Sequence, residues 1–464
     1  MSVPFWVEDA IFYQIFPDRF ANGDLSNDPP YLRSWNALPT RYDFYGGDLR
    51  GIIQKFDYLL DLGINAIYLN PIFQASSNHR YNATDYYKID NKLGDLRDFK
   101  ALVEIAHQNG VRIILDGVFN HCGRGFFAFN DILENQEFSP YRDWFTIQRF
   151  PVDAYSAGEA RDYLAWWRNK SLPKFNTSNL QVRKYLMGVA RYWIEQGADG
   201  WRLDVPNEIA DNTFWAEFRQ VVKSANPDAY LLGEIWNVQP EWVGEEHFDG
   251  LMNYPVKDAI LGFLTNKLKV SDFADVMEKI LSMYPHENGY AMYVPLGSHD
   301  TERVKTILGG DIKKVMLAML IQFAYPGSPG IYYGDEIGLE GGKDPDCRCT
   351  FPWEATSWNS ELHDWVKKLV GLRRRSPALR RGNMQRVLVD DARSCCVFLR
   401  QLGEERMLVV VNNSSSRRQL NLPVGKLGWK DGLIIHNLLD SSEATVSDGS
   451  LQISVPPVSG MWLQ

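Results

Sequence analysis

Three segments of this chain repeat one grammar: an amphipathic helical run, a glycine, then a short β-branched strand. They read FDYLLDLGINAIYLNPI, FKALVEIAHQNGVRIILDGVF and RYWIEQGADGWRLDV. In the second, Leu96, Phe99, Leu102, Val103 and Ala106 follow helical spacing, and Gly110 stands where a helix ends in the left-handed conformation that glycine tolerates best. Gly63 and Gly197 take the same place in the other two. Further strands are expected at Ile11 to Phe16, Tyr230 to Ile235, Gly250 to Asn253, Ala291 to Leu296 and Ile331 to Tyr333, each separated from the last by helical pattern. Eight strands alternating with helices over about 375 residues predict an α/β chain folded as a (β/α)8 TIM barrel.

Two interruptions set the domain organisation. An aromatic-rich break follows the third strand, and after an Arg-rich helix ending near Arg375 the pattern changes to short alternating strands such as RMLVVVNNSS and GLIIHNLL. The expected organisation is a barrel from residues 1–121 and 180–381, an inserted subdomain at 122–179, and a C-terminal antiparallel β-sandwich at 382–464.

Composition narrows the kind of ligand. The net charge of -9 comes from intermixed acids and bases, which speaks against nucleic acid and anionic membrane and leaves a small neutral substrate. Aromatic residues make up 13%, with 15 Trp, as flat sugar surfaces would require, although core packing uses Trp too. The N-terminus lacks the basic region, apolar run and small-residue cleavage site of a signal peptide, and no stretch approaches the roughly 20 apolar residues of a membrane span. Five cysteines, without zinc-site spacing, read as free thiols in a reducing cytoplasm.

In such a barrel the reacting groups come from the C-terminal ends of the strands. There the sequence places Asp116, Asn120 and His121 (DGVFNH), Arg202 and Asp204 (GWRLD), Glu234 (LLGEIW), and His299 and Asp300 (LGSHD). One acid at a strand end can be structural. Acids from four strand ends on one face are costly to bury without a function. Two carboxylates are the minimum for cleaving a glycosidic bond. Asp204 and Glu234 lie on adjacent strands about 5 Å apart, which suits a retaining, covalent mechanism. Arg202, two residues before Asp204 on the same strand face, is expected to keep Asp204 ionised, and the apolar neighbours Ile235 and Trp236 to raise Glu234 into a proton donor.

In this order and on these strands, DGVFNH, GWRLDVPNE, LLGEIW and LGSHDTER resemble the four signature regions of the α-amylase family of retaining α-glucoside hydrolases and transferases. YGGDLRGI, LPKFNTSN and GIYYGDEIG extend the similarity over nearly the whole chain. The resemblance implies that Asp204 is the nucleophile of a β-glucosyl enzyme, Glu234 the acid/base, and Asp300 the group that stabilises the distorted sugar. It implies that His121, Arg202 and His299 line the same subsite, that Tyr81 stacks on the sugar ring, and that Asp116 supports the site.

LPKFN, FDGLMNYP and GGKDPDCR look most like the neopullulanase, cyclomaltodextrinase and maltogenic amylase group. By that similarity Asp344 and Arg348 hold a sugar on the non-reducing side, with a loop ion pair as the alternative. Glu208 reaches the leaving-group subsites, with a helix N-terminal role as its alternative. Trp166 and Trp167 form either a sugar-stacking wall or the core of the insertion. Members of the group carry an N-terminal β-domain through which they dimerise. Here the barrel begins almost at residue 1, so no dimer of that kind is expected, and a more open cleft admitting longer or branched glucans is. Asn237 stands where many relatives have His, so the resemblance does not carry over the details of acceptor binding.

The expected activity is hydrolysis of α-1,4-glucosidic bonds, with tolerance of α-1,6, in maltooligosaccharides, cyclodextrins or pullulan. A glucanotransferase acting through the same intermediate is the alternative. A non-catalytic binding relative is disfavoured by the presence of Asp204, Glu234 and Asp300.

The polar stretch DRFANGDLSNDPP remains. Its Asn, Asp, Ser and Gly are what any turn prefers. They are also hard oxygen donors without nearby Cys or His. The neopullulanase-like group builds a calcium site from such a loop and a following G-x-D. The resemblance therefore implies a structural Ca2+ held by Asn22, Asp24, Asn27, Asp28, Gly46 and Asp48, away from the chemistry.

Overall fold

Each of the expected strand positions carries a parallel strand of one sheet in the computed structural model, which describes residues 3–464. We number them β1 (Phe12–Ile15), β2 (Ala66–Leu69), β3 (Arg112–Gly117), β4 (Gly200–Leu203), β5 (Tyr230–Gly233), β6 (Gly250–Leu251), β7 (Tyr293–Pro295) and β8 (Ser328–Tyr332). The spatial order is β6-β5-β4-β3-β2-β1-β8-β7. A parallel bridge between Met252 and Tyr293 joins the two ends and closes the barrel.

The helices form as their sequences require. Leu96–Gln108 starts at a capping box in which the Asp95 and Asp98 carboxylates each bond the other residue's backbone N–H, and it buries Phe99, Leu102, Val103 and Ala106 against the barrel. Gly63, Gly110 and Gly197 all take positive φ (87°, 69° and 110°) where the chain leaves a helix for the next strand.

The eighth strand differs from expectation. It starts three residues before Ile331, at Ser328, and runs through Pro329 and Gly330. Both residues are strand breakers in isolation. Here Gly330 is required by packing: a Cβ at this position would lie 2.1 Å from the Tyr293 ring, which fills the barrel at this level.

Inside the barrel, Phe12, Tyr68, Ile114, Tyr230, Leu232 and Tyr293 form one closed apolar cluster, so the lower barrel is a packed core. The segment after β3 packs Phe126, Phe129, Trp144, Phe145, Tyr163 and Phe175 against one another in an aromatic cluster continuous with the outer core of the barrel. It returns to the barrel through an antiparallel bridge between His121 and Lys174.

The C-terminal region is two four-stranded antiparallel sheets enclosing a separate core around Val397, Leu408, Val410, Leu420, Leu451 and Val455. The fully buried Arg400 fastens it to the barrel helix Ile312–Ala324, and a second buried arginine, Arg373 on the barrel's own helix Ser360–Arg375, braces the end of that helix within the barrel. Arg373 donates to the carbonyls of Phe323 (2.6 Å), Tyr325 (3.2 Å) and Gly327 (2.5 Å), and Arg400 to those of Ala324 and Gly382. Among the described residues no helix is long and apolar enough to cross a membrane, and all five cysteines are free.

Candidate active site

Alternation along each barrel strand decides which side chains reach its mouth. Ile113, Leu115, Trp201, Leu203 and Leu231 point to the outer core, whereas Ile114, Tyr230 and Leu232 point inward. One further step of two along the inward rows reaches Asp116 on β3, Arg202 and then Asp204 at the end of β4, and Glu234 at the end of β5. Leu203 pairs with Gly233, so the acids that follow them stand side by side. The Glu234 N–H donates to the Leu203 carbonyl at 3.0 Å, and the Asp204 N–H to that of Gly117 at 3.0 Å.

Arg202, with no exposed surface, is the hub. Its Nη1 lies 2.7 Å from Asp116 Oδ1 and 3.0 Å from Asp204 Oδ1, and its Nη2 lies 2.8 Å from Glu234 Oε2. Asp116 is further fixed by the hydroxyls of Tyr68 (2.6 Å) and Tyr81 (2.7 Å), both on Oδ2, so three donors hold it behind the wall. The chain turns sharply after Asp204: Val205 is left-handed (φ 36°), a strained state for a β-branched residue. That turn aims the Val205 N–H at Glu234 Oε2, at 3.0 Å.

On the opposite side, the Gln14 amide nitrogen sits 3.0 Å from Asn70 Oδ1 and 2.9 Å from His299 Nδ1. It therefore donates to both, which leaves the ring proton of His299 on Nε2, 3.0 Å from Asp300 Oδ2 and 2.5 Å from the Tyr81 hydroxyl. Tyr81 and His299 stack at 5.4 Å and 6°. Arg348 donates from Nε to the His299 carbonyl (2.8 Å), and its Nη2 and Nη1 lie 3.2 Å from Asp300 Oδ1 and 3.2 Å from Asp344 Oδ1 respectively. His121 Nδ1 is 3.1 Å from the Asn120 amide, while its Nε2 is buried without a partner, as a group awaiting a ligand hydroxyl would be.

Burial dominates the electrostatics. It raises Glu234 to about 7, opposed by Arg202 and helped by Asp300. It raises Asp204 well above the carboxylate range, Arg202 again opposing while Glu234, Asp116 and Asp300 add to the rise. The sequence assigned Arg202 to Asp204; the structure divides one guanidinium among three carboxylates, so Asp204 and Glu234 resist ionising together. Burial also keeps His121 (lowered to about 3) and His299 neutral.

These groups open into one cleft of about 760 Å³, lined by Tyr81, His121, Asp204, Glu234, Asp300, Asp344 and Arg348. Arg202 and His299 stand buried behind it. Trp166 and Trp167 line it too. Trp166 stacks on His121 (5.2 Å, 13°) and on Trp167 (4.4 Å, 13°), which is 80% exposed. Glu208 is not part of this wall: it lies in the turn Pro206–Glu208, ion-paired with Lys174 at 3.1 Å. Arg41 and His79 line the cleft without having been singled out by the sequence, and Trp236, expected as an apolar wall beside Glu234, lines it with its indole N–H on Glu234 Oε1. His79 directly precedes Arg80 and Tyr81. No local signal marks Arg41, which arrives on a loop anchored by bonds from Trp35 Nε1 to Phe351 O and from Asn78 Nδ2 to Arg41 O.

The polar loop lies apart from the cleft. Asn22 Oδ1 and Asn27 Oδ1 are buried without hydrogen-bond partners. A Cβ on Gly46 would sit 2.5 Å from Asp28 Oδ1 and 2.6 Å from Asn22, so these three converge. Burial raises the Asp28 carboxyl, opposed by the Asn22 amide, which donates to its Oδ1 at 2.8 Å. Asp48 accepts from the N–H groups of Gly23, Asp24 and Gly51 and from Asn27 Nδ2, tying the loop to the helix Leu49–Gln54. Asp24 turns its carboxylate to Ser26 instead, bonding its N–H at 3.0 Å and its hydroxyl at 2.6 Å. Among the described residues no group of three His, Cys, Asp or Glu side chains is arranged for a metal. The side-chain oxygens gathered here are those of the Asn22 and Asn27 amides and of the Asp28 and Asp48 carboxylates, to which those amides are hydrogen-bonded, a donor set that fits a hard cation.

A parallel eight-stranded barrel with two carboxylates bridged by one guanidinium at the C-terminal mouth defines a sugar-cleaving site. Residues 14–385 match the family described as alpha amylase, catalytic domain, and residues 384–462 the maltogenic amylase C-terminal domain. A cyclomaltodextrinase of Geobacillus thermopakistaniensis is 44% identical over 98% of this chain and 77% of its own. Neopullulanase 2 of Thermoactinomyces vulgaris is 42% identical over 100% and 78%. The structure of a cyclic alpha-maltosyl-(1→6)-maltose hydrolase from Arthrobacter globiformis superposes with a TM-score of 0.91 at 39% identity, covering 100% of both chains. The chain belongs to the α-amylase family of glycoside hydrolases.

Proposed function

We propose that this chain hydrolyses α-1,4-glucosidic bonds, and tolerates α-1,6 bonds, in maltooligosaccharides, cyclodextrins or pullulan, through a covalent β-glucosyl intermediate on Asp204. The observation that carries this reading is the pair Asp204 and Glu234, side by side at adjacent strand ends and joined through Arg202 at the floor of the cleft. The names of the relatives support the substrate class: cyclodextrins, pullulan and a cyclic maltosyl-maltose.

In the first step Glu234 gives its proton to the glycosidic oxygen as the C1–O bond breaks, and Asp204 forms a bond to C1. In the second, Glu234 takes a proton from water as its oxygen attacks C1 and the Asp204 ester breaks, so the anomeric configuration is retained. Asp300, steadied by His299 and Arg348, and the free His121 Nε2 hold sugar hydroxyls as positive charge develops at C1. Burial suits Glu234 to this cycle, because an acid raised to about 7 both gives and takes a proton near neutrality.

The exposed Trp167 and Trp236 faces in the cleft favour a second reading, in which a sugar acceptor replaces water and maltooligosaccharides are transferred. Ca2+ is the group we infer for the polar loop, held by Asn22, Asn27, Asp28, the Gly46 carbonyl and Asp48. It would pin that loop to the first barrel helix and takes no part in the reaction. The free cysteines among the described residues support a cytoplasmic enzyme.

Product analysis on γ-cyclodextrin, pullulan and maltotriose, with and without an added acceptor sugar, tests the reading. Maltose or panose as main products is expected. Longer products that appear only with acceptor would replace hydrolysis by transfer, and full activity in Asp204→Asn would overturn the mechanism.

A further inference from the structure

The two oxygens of Glu234 are held differently. Oε2 meets the Val205 N–H at 3.0 Å and Arg202 Nη2 at 2.8 Å. An oxygen that already accepts an N–H and faces a guanidinium charge is a poor place for the acidic proton, because the donor opposes it and the positive charge favours the ionised oxygen. The transferable proton therefore belongs on Oε1. Among the described residues one side chain donates to Oε1: the Trp236 indole, with Nε1 at 3.2 Å.

That indole is itself oriented. It stacks face to face on Tyr254, with centroids 3.9 Å apart and planes within 2°. The buried Tyr254 hydroxyl lies 3.3 Å from Ser298 Oγ, which accepts the Asp300 N–H at 3.2 Å. A continuous path thus runs from Asp300 through Ser298 and Tyr254 to the ring that touches Glu234. Trp236 is 43% exposed on the cleft wall, so a bound glucan chain would cover it and dry the N–H···Oε1 bond.

We propose that Trp236 is a positioning residue for the acid/base: its N–H aims Oε1 at the glycosidic oxygen and stabilises the carboxylate that must accept a proton from water in the second step. This rests on Glu234 being the acid/base. A hydrogen bond to the charged form favours ionisation, so the indole offsets part of the rise that burial imposes on this carboxyl.

Trp236→Phe keeps an aromatic ring on Tyr254 and on the cleft wall and deletes only the donor. The expected result is an alkaline limb of kcat/KM displaced upward by about 0.5 to 1 pH unit, the size of one lost hydrogen bond of ordinary net strength. A three- to tenfold fall in kcat with KM changed less than twofold should accompany it. An unmoved limb with the effect confined to KM would overturn the proposal and leave Trp236 a sugar-stacking surface.

The wild-type enzyme supplies a measurement that needs no variant to fold. The Trp236 indole 1H–15N resonance should titrate with the midpoint of the alkaline limb, and an indole insensitive to pH across that range would equally refute the assignment. Glu234→Gln separates the two claims. If it stays active, the acid/base reading fails. If it is inactive while Trp236→Phe leaves the limb in place, only the positioning role fails.

Discussion

Glu234→Gln should make the folded chain less stable at pH 4.5 and more stable at pH 8.5. In the native site burial raises this carboxyl from 4.5 to about 7. The folded state therefore binds the proton more tightly than the unfolded chain does. The resulting stabilisation is complete below the unfolded value of 4.5 and is lost as pH rises through about 7. At about 1.4 kcal/mol per pH unit, integration from pH 4.5 to 8.5 gives a loss of about 3 kcal/mol in the wild type that a neutral amide does not suffer. Against this stands a constant cost. A Gln carbonyl can still accept the Val205 N–H, but its amide would face the Trp236 N–H donor to donor, at about 1 kcal/mol. The variant should thus be about 1 kcal/mol less stable at pH 4.5 and about 2 kcal/mol more stable at pH 8.5. Relief of repulsion on Asp204 acts in the same direction. Urea unfolding followed by tryptophan fluorescence at the two pH values measures the difference. An equal effect of the substitution at both would show that Glu234 carries no raised pKa, and the electrostatic account of the site would fall with it.

Calcium added to chelator-treated protein should raise the calorimetric melting temperature by several degrees, since a site at a hundredfold excess over Kd contributes about 2.7 kcal/mol. Asn22→Ala with Asp28→Ala should abolish the response, and an unchanged melting temperature in the parent would remove the metal from the loop. Arg400→Met should cost about 3 kcal/mol, because it strips donors from the buried carbonyls of Ala324 and Gly382, with KM for maltotriose unchanged. A loss below about 0.5 kcal/mol would deny that buried arginine a fastening role. Trp167→Ala should raise KM for cyclodextrin by about two- to tenfold, the value of one aromatic stack, leaving the pH profile in place. Unaltered KM would mean that this exposed ring meets no sugar.

The repeated helix–glycine–strand grammar was enough to set out the barrel, because periodicity and helix stops are properties of one short segment. The same holds for the acids: Asp116, Asp204 and Glu234 follow inward-facing residues at steps of two, so their convergence at one mouth follows once the strands are parallel. The strand end at Ser328 escaped this logic. Pro329 and Gly330 look like breakers until Tyr293, on the neighbouring strand, is seen to occupy the space a Cβ would need.

Closure of the barrel decided the rest. It brought Gln14 against His299 and Trp35 against Phe351, residues 285 and 316 positions apart, and with the latter carried Arg41 into the cleft wall. It divided Arg202 among three carboxylates and left Glu208 with Lys174 on the surface side. It also set Tyr254 under the Trp236 ring, whose N–H meets Glu234 Oε1. A sequence states which groups are present and which face of a strand carries them. Which donor meets which oxygen is fixed by distances between distant segments, and those exist only once the chain has packed.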